Sequence, residues 1–139
     1  MSKKPRLWIS RYLSSSTMDK AKESYEIYLP KVDKPASKEE MIRLSSEVDA
    51  FLICHSEIID SDLAGQLKPR LKIIANHSVG VDHCDLEALN SKGIVVTNTP
   101  DVLSDATAEI SMLLLLGAAR RAVEAQKIVR EGMWDSWSP

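Results

Sequence analysis

Short apolar stretches alternate with polar stretches between residues 6 and 97. Five of them have the apolar or alternating pattern of strands, and they lie at residues 6–10, 25–29, 50–54, 71–75 and 94–97. The run S-S-S-T at residues 14–17, Ser37 and Asp60 are suited to cap helices, and the pattern predicts helices over residues 14–24, 37–46, 60–67 and 85–91. Gly93 follows the fourth of these helices, at the position where a C′ glycine ends a helix. The sequence therefore predicts strands and helices in alternation.

This alternation implies parallel strand pairing with right-handed crossovers. Three of the strands are nearly continuous apolar runs, as expected for a sheet that is covered on both faces. We therefore predict an α/β fold with a flavodoxin-like, doubly wound, parallel five-stranded sheet. Ligands of such sheets bind outside the carboxyl ends of the strands. The candidate loops are residues 10–17, 54–57, 76–82 and 98–105.

The last segment has a different pattern. Residues 104–132 contain no proline and no strand pattern, and they predict one long helix of about 26 residues, or ~39 Å. Ser104 or Asp105 at its start fits N-terminal capping and dipole complementation. Residues 110–119 are apolar around the whole helix, so that every side needs cover. A single small sheet cannot supply that cover, and we expect a partner surface.

Composition and charge are those of an ordinary folded protein. The 139 residues are 44% hydrophobic and 27% charged, with a net charge of −2. There is no basic excess to draw the molecule onto nucleic acid, and no apolar run approaches the ~20 residues that cross a bilayer. The basic N-terminus lacks the apolar stretch of a signal peptide, and two cysteines are too few for a disulfide scaffold. We expect a cytoplasmic protein without nucleic-acid or membrane partners.

The spacing of the glycines excludes two nucleotide-binding motifs. The five glycines lie at positions 65, 80, 93, 117 and 132. The dinucleotide fingerprint G-x-G-x-x-G and the P-loop both need glycines a few positions apart. This sequence therefore contains no standard turn for a pyrophosphate.

Soft metal ligands lie near the predicted strand ends. They are Cys54, His55, His77, His83 and Cys84. No CxxC or HxxxH spacing accompanies them, so loop and core roles are favoured over a zinc site, and we expect no metal. Nothing marks an oriented Cys–His nucleophile either.

The loop H-S-V-G-V-D at residues 77–82 is the most informative loop. Gly80 allows a sharp turn, with a positive φ or a close approach of the backbone to a ligand. Successive exposed N–H groups there could bind a small carboxylate. An ordinary turn explains the local sequence equally well.

Several blocks together resemble the D-isomer-specific 2-hydroxyacid dehydrogenases, closest to the glyoxylate/hydroxypyruvate reductase branch. The blocks are LKIIANHSVGVDH at residues 71–83, GIVVTNTP at 93–100, VLSDATAE at 102–109 and ARR at 119–121. The ending GMWDSWSP at residues 132–139 is similar to that branch too. The likeness spans the whole chain and is strongest from residue 71 onward.

The resemblance implies two flavodoxin- or Rossmann-like domains around a cleft, the first binding substrate and the second binding NAD(H) or NADP(H). It implies that backbone amides of Ser78, Val79 and Gly80 meet the substrate carboxylate. It also implies that the loop at Cys54 and His55 flanks the substrate.

Further implications concern the C-terminal part. Thr107 would lie by the cofactor, and the helix at residues 104–132 would form a homodimer interface. Trp137 matches a tryptophan that can reach the partner's active site. This dimer agrees with the separate inference that the last helix needs a partner.

Departures from the family pattern limit what is carried over. The family's glycine fingerprint and its catalytic arginine, acid and histidine have no match here, and His55, His77 and His83 do not take the histidine's role. We therefore assign no catalytic residue. We expect a substrate-binding domain at residues 1–103, an interface helix and arm loop at residues 104–139, and no nucleotide-binding domain.

The sequence is thus interpreted as the N-terminal, substrate-binding part of an NAD(P)-dependent D-2-hydroxyacid dehydrogenase that acts on a 2-keto acid such as glyoxylate or hydroxypyruvate. By itself the chain is expected to bind no cofactor and to be inactive. The alternative is a free-standing dimerisation or regulatory module that binds a small carboxylate or a homologous subunit. A flavodoxin-like enzyme of another kind would need a catalytic set, and the sequence shows none.

Overall fold

The computed structural model describes residues 3–137. Ser138 and Pro139 lie outside the described residues. They are the last residues of the terminal block that resembles the family. The chain divides into two compact units, one ending at Pro100 and the other beginning at Asp101.

The first unit is built on five parallel strands. They are β1 (Arg6–Ile9), β2 (Glu26–Tyr28), β3 (Ala50–Ile53), β4 (Ile73–Asn76) and β5 (Val95–Thr97). Their order in the sheet is β2-β1-β3-β4-β5, and every neighbouring pair is parallel. The order reverses between β1 and β3, which is the topological switch point of a doubly wound sheet. The predicted fold class is confirmed.

Four helices connect the strands of this unit. They are α1 (Ser15–Ser24), α2 (Lys38–Ser45), α3 (Ser61–Gln66) and α4 (Leu86–Ser91). The side chains of Ser14, Ser37 and Asp60 each accept a backbone N–H of the first helical turn, so the three predicted caps are confirmed. Because the caps satisfy N–H groups that the helix itself cannot, they determine where each helix begins.

Both faces of the sheet are packed. Along β1, Trp8 points to one face while Leu7 and Ile9 point to the other, following the two-residue period of a strand. The larger core cluster joins Trp8 and Phe51 to side chains of α2, α3 and α4, and the smaller one includes Met18 of α1. This two-sided burial explains why three of the strands are nearly continuous apolar runs.

Gly93 adopts a left-handed conformation just after α4, with φ of 69°. We expect Gly93→Ala to lower the free energy of unfolding by about 1 kcal/mol, since a Cβ is disfavoured there. Gly65 lies in α3 with open space around it and provides the matched control. Gly65→Ala should instead raise stability by up to ~1 kcal/mol in urea unfolding. Changes of the same sign in both variants would contradict this assignment.

The second unit contains two helices, α5 (Ser104–Ala119) and α6 (Ala122–Arg130). The prediction of one continuous helix is therefore wrong. Arg121 adopts the left-handed conformation, with φ of 52°, and its N–H donates to the carbonyl of Ala118. Its Nε then donates to Glu124 in the first turn of α6. No glycine or proline marks this break, and arginine rarely adopts that conformation, so residue propensities could not reveal it.

The start of α5 also differs from the prediction. Its N-cap is Leu103, which makes no side-chain capping bond, and Ser104 is already helical. Thr107 Oγ1 instead donates to the Leu103 carbonyl at 3.0 Å.

In the described chain, none of the helices combines the length and apolar content needed to cross a membrane.

Candidate functional site

The candidate site lies at the carboxyl edge of the sheet in the first unit. The loops that follow β1, β3 and β4 contact one another there, as the topology requires at a switch point. The site is built from a turn at residues 54–57, here called the β3 turn, and a loop at residues 77–80, here called the amide loop.

The β3 turn is held by a fully buried carboxylate. Glu57 Oε2 accepts hydrogen bonds from Ser10 Oγ at 2.9 Å and from the Cys54 N–H at 3.0 Å. Glu57 Oε1 lies 3.0 Å from Arg11 Nη2, an ion pair whose alignment is not that of a hydrogen bond. The Glu57 N–H donates to the Cys54 carbonyl and closes the turn. The carboxylate thus ties the end of β1 to the end of β3.

Sequence reasoning missed both members of this ion pair. The available signal was a pair of oppositely charged residues, Arg11 and Glu57, placed just beyond two apolar strands. The ends of two such strands come into contact only if the strands are neighbours in the sheet, and strand order is decided by tertiary structure.

Cys54 and His77 connect the β3 turn to the amide loop. Cys54 Sγ lies 3.8 Å from His77 Nδ1, and the His77 N–H donates to the Ile53 carbonyl at 2.8 Å. Burial raises the pKa of the Cys54 thiol, and the nearby Glu57 carboxylate raises it further. The thiol is therefore protonated near neutral pH and is not an activated nucleophile. His55 is exposed at the tip of the turn.

In the amide loop, the carbonyl groups of Ser78, Val79 and Gly80 each accept a hydrogen bond. The Ser78 carbonyl accepts the Thr99 N–H at 3.0 Å, the Val79 carbonyl accepts Asn98 Nδ2 at 2.8 Å, and the Gly80 carbonyl accepts Ser78 Oγ at 2.8 Å. Within residues 3–137, the backbone N–H groups of Ser78, Val79 and Gly80 donate to no protein acceptor. Successive N–H groups of this kind are candidates for binding a small anion.

Gly80 serves a different purpose from the positive φ considered in the sequence analysis. The left-handed glycines of the described chain are Gly93 and Gly132, and Gly80 is not among them. A Cβ at Gly80 would lie 2.6 Å from Asp82 Oδ1. The missing side chain at Gly80 therefore leaves room for the Asp82 carboxylate.

Asn76, at the end of β4, anchors the neighbouring loops and was also missed from the sequence. Its side chain is buried, its Nδ2 donates to the Thr97 carbonyl at 3.1 Å, and its Oδ1 accepts from His83 Nε2 at 2.7 Å. Cys84 Sγ lies 3.8 Å from the same oxygen. Polar residues at strand ends are common, so the sequence pattern could not single this one out.

The soft ligands considered earlier are spread over separate contacts. Cys54 faces His77, whereas His83 and Cys84 face Asn76. Across the described residues, no three His, Cys, Asp or Glu side chains come close enough together to hold a metal ion.

The described residues do not fit a nicotinamide dinucleotide. The turn after β1, at residues 10–14, contains no glycine, and the buried Glu57 carboxylate with Arg11 fills the switch point where such sheets place a phosphate. Thr107 and Trp137 lie in the second unit. The Thr107 hydroxyl donates within α5, and Trp137 is 82% exposed after α6.

The fold and site together are those of a doubly wound α/β domain with its candidate site at the carboxyl edge of the sheet. Residues 8–131 match the family model described as D-isomer specific 2-hydroxyacid dehydrogenase, catalytic domain. The chain belongs to this family, and the resemblance seen in the sequence is confirmed.

Proteins of known name and structure agree with this assignment. The chain is 40% identical to glycerate dehydrogenase from Hyphomicrobium methylovorum over all of its length, and 38% identical to glyoxylate reductase from Thermococcus kodakarensis over 98% of it. It spans 43% and 42% of the lengths of those two relatives. A crystal structure of a putative NAD-binding D-isomer specific 2-hydroxyacid dehydrogenase from Polaromonas superposes with a TM-score of 0.83 at 34% identity, covering 98% of this chain and 43% of that one.

Proposed function

We propose that this chain forms the substrate-binding part of an NAD(P)-dependent D-2-hydroxyacid dehydrogenase, and that the amide loop binds the carboxylate of a 2-keto acid such as glyoxylate or hydroxypyruvate. One observation carries the proposal. The amides of Ser78, Val79 and Gly80 have no protein acceptor within the described chain, while all three carbonyl groups of these residues are engaged. A carboxylate supplies the acceptors that such amides lack.

The β3 turn adds no net charge beside the amide loop, where the nearest carboxylate is that of Asp82 against Gly80. Arg11 and Glu57 neutralise each other, so the β3 turn neither attracts a second anionic group nor repels the first. Cys54 and His55 would flank the ligand from this turn. The names of the relatives, glyoxylate reductase and glycerate dehydrogenase, supply the two substrate candidates.

In the complete reaction that we propose, a hydride from NAD(P)H adds to C2 of the keto acid, and a proton adds to its oxygen. The cofactor would contribute the hydride, with Thr107 beside it. Because the described residues do not fit a dinucleotide, we expect this chain alone to bind none and to reduce no keto acid.

The unpaired thiols of the chain, Cys54 and Cys84, support a cytoplasmic location.

The carboxylate site is tested by titrating the ¹⁵N-labelled chain with sodium glyoxylate in amide-resolved NMR. We expect the largest shift changes at residues 78–80, because those amides would gain an acceptor. Val79→Pro removes one N–H and should weaken binding by at least ~10-fold. Val79→Ala keeps the N–H and is the matched control. Equal binding by both variants, or shifts located elsewhere, would refute the proposal.

A second role, dimerisation, is favoured by the surface of α5. No residue of this helix is buried, and Leu113, Leu114, Leu115 and Leu116 are all exposed. An exposed apolar surface of this kind marks an interaction site. We propose a second copy of the chain as the partner, with Trp137 of the arm loop adding to the contact. A free-standing dimerisation or regulatory module would use the same surface.

A further inference from the structure

The buried ion pair at the switch point calls for an explanation beyond stability. The Glu57 side chain has no exposed surface, and that of its partner Arg11 is 18% exposed. Removing two charges from water costs free energy that their mutual attraction only partly returns, and apolar replacements of buried pairs are often as stable. The stability of the domain therefore does not by itself explain why a charged pair occupies this position.

Arg11 is held by several acceptors at once. Its Nη1 donates to the Ser10 carbonyl at 3.0 Å, and its Nη2 donates to Ser56 Oγ at 2.6 Å while lying beside Glu57. Only a planar guanidinium can reach acceptors in this fork geometry. The guanidinium thereby spans from the end of β1 to the middle of the β3 turn.

Contacts continue from Glu57 to the amide loop. The carboxylate fixes the Cys54 N–H, and Cys54 Sγ faces His77 Nδ1. The backbone of His77 is held by the Ile53 carbonyl, and the next residue is Ser78, the first of the three amides without a protein acceptor. Each step is a direct contact, so the β3 turn is connected to the start of the amide loop.

We propose that Glu57, acting with Arg11, is a positioning residue that holds the β3 turn and, through Cys54 and His77, sets the conformation of the carboxylate-binding amide loop. The inference rests on the proposed function of that loop. It assigns Glu57 no contact with the ligand. A ligand anion is bound well only when all amides converge on it, so a small displacement of the loop weakens binding.

Positioning and simple electrostatics predict different outcomes. Glu57→Gln removes a negative charge near the site and Arg11→Gln removes a positive one. If the pair acted only through its charges, glyoxylate would bind tighter to the first variant and more weakly to the second. A positioning role predicts weaker binding in both. Arg11→Lys sharpens the test, because it keeps the charge but loses the fork of donors.

The experiment measures the glyoxylate Kd of each variant from amide shifts of the 139-residue chain. We expect Glu57→Gln and Arg11→Lys each to raise Kd by about tenfold. At metal sites, mutating the residues that hydrogen-bond to the ligands lowers affinity by about 10–100-fold, and our value is the lower end of that range. Glu47→Gln breaks an exposed pair with Arg43 and is the matched control, with Kd unchanged. Tighter binding by Glu57→Gln, or an unchanged Kd in Arg11→Lys, would overturn the positioning role.

A ligand-free measurement separates this proposal from the proposed function. The N–H groups of His77 and Thr99 donate to the carbonyls of Ile53 and Ser78, and their hydrogen exchange should become faster in Glu57→Gln and in Arg11→Lys, but not in Glu47→Gln. If glyoxylate shifts no amide of the wild-type loop, the proposed function fails, and the exchange data still decide whether Glu57 orders the loop. Unaltered exchange in both site variants would refute positioning. Should Glu57→Gln fail to fold, Arg11→Lys carries the test.

Discussion

A Leu114→Glu variant is expected to sediment as a monomer, and the wild-type chain is expected to sediment as a dimer under the same conditions. Leu114 lies in the middle of α5, is 66% exposed, and is surrounded by other exposed leucines. Burying such side chains against a second copy stabilises the dimer by ~25 cal/mol per Å² of apolar surface. A carboxylate buried in that contact without a partner costs several kcal/mol, so the dimer Kd should rise at least ~100-fold.

Sedimentation velocity across micromolar concentrations measures this change directly. Val32→Glu is the matched control, because Val32 is 59% exposed but belongs to the first unit. That variant should associate like the wild type. A wild-type chain that stays monomeric throughout the range, or a Leu114→Glu chain that still dimerises, would exclude α5 as the interface.

The second large effect is expected in the core of the sheet. Phe51 is fully buried on β3, and its ring packs edge-to-face on Trp8 with centroids 4.9 Å apart. Phe51→Ala removes most of that side chain from a dense core and leaves a cavity. We expect the free energy of unfolding to fall by about 3–5 kcal/mol. That is a large share of the ~5–15 kcal/mol by which most domains are stable.

Urea unfolding, followed through the native amide signals of the strands, measures the loss. Ile58→Ala is the control, since Ile58 is 62% exposed and its change should stay within ~0.5 kcal/mol. A double-mutant cycle with Trp8→Leu should give a coupling of ~0.5–1.5 kcal/mol for the two rings. If Phe51→Ala and Ile58→Ala lowered the free energy of unfolding equally, the packing of Phe51 on Trp8 would not support the fold.

Local chemistry made much of the first unit predictable. Ser14, Ser37 and Asp60 cap helices through bonds to their own first turns, so their effect does not depend on the rest of the chain. The strands were recognisable because burial on both faces requires nearly continuous apolar runs. The amide loop could be located as well, since the alternation of elements places loops at the carboxyl edge of the sheet.

Features that depend on neighbours in space were not predictable. The break at Arg121 has no glycine or proline to signal it, and the left-handed residue is accompanied by an ion pair with Glu124. Burial of Glu57 depends on β1 lying beside β3, an arrangement of segments more than forty residues apart. The role of Asn76 likewise depends on β5 lying beside β4 and on the following loop bringing His83 back to the end of β4.

The sequence by itself therefore determined the elements of the first unit, the fold class and the family, because these follow from local periodicity, capping and motifs that need no partner in space. Only the tertiary structure decided which side chains share the carboxyl edge, that Gly80 accommodates Asp82, and that three amides are left without a protein acceptor in the described chain. The physical reason is that a hydrogen bond or an ion pair depends on distance in space, and distance along the chain does not determine it.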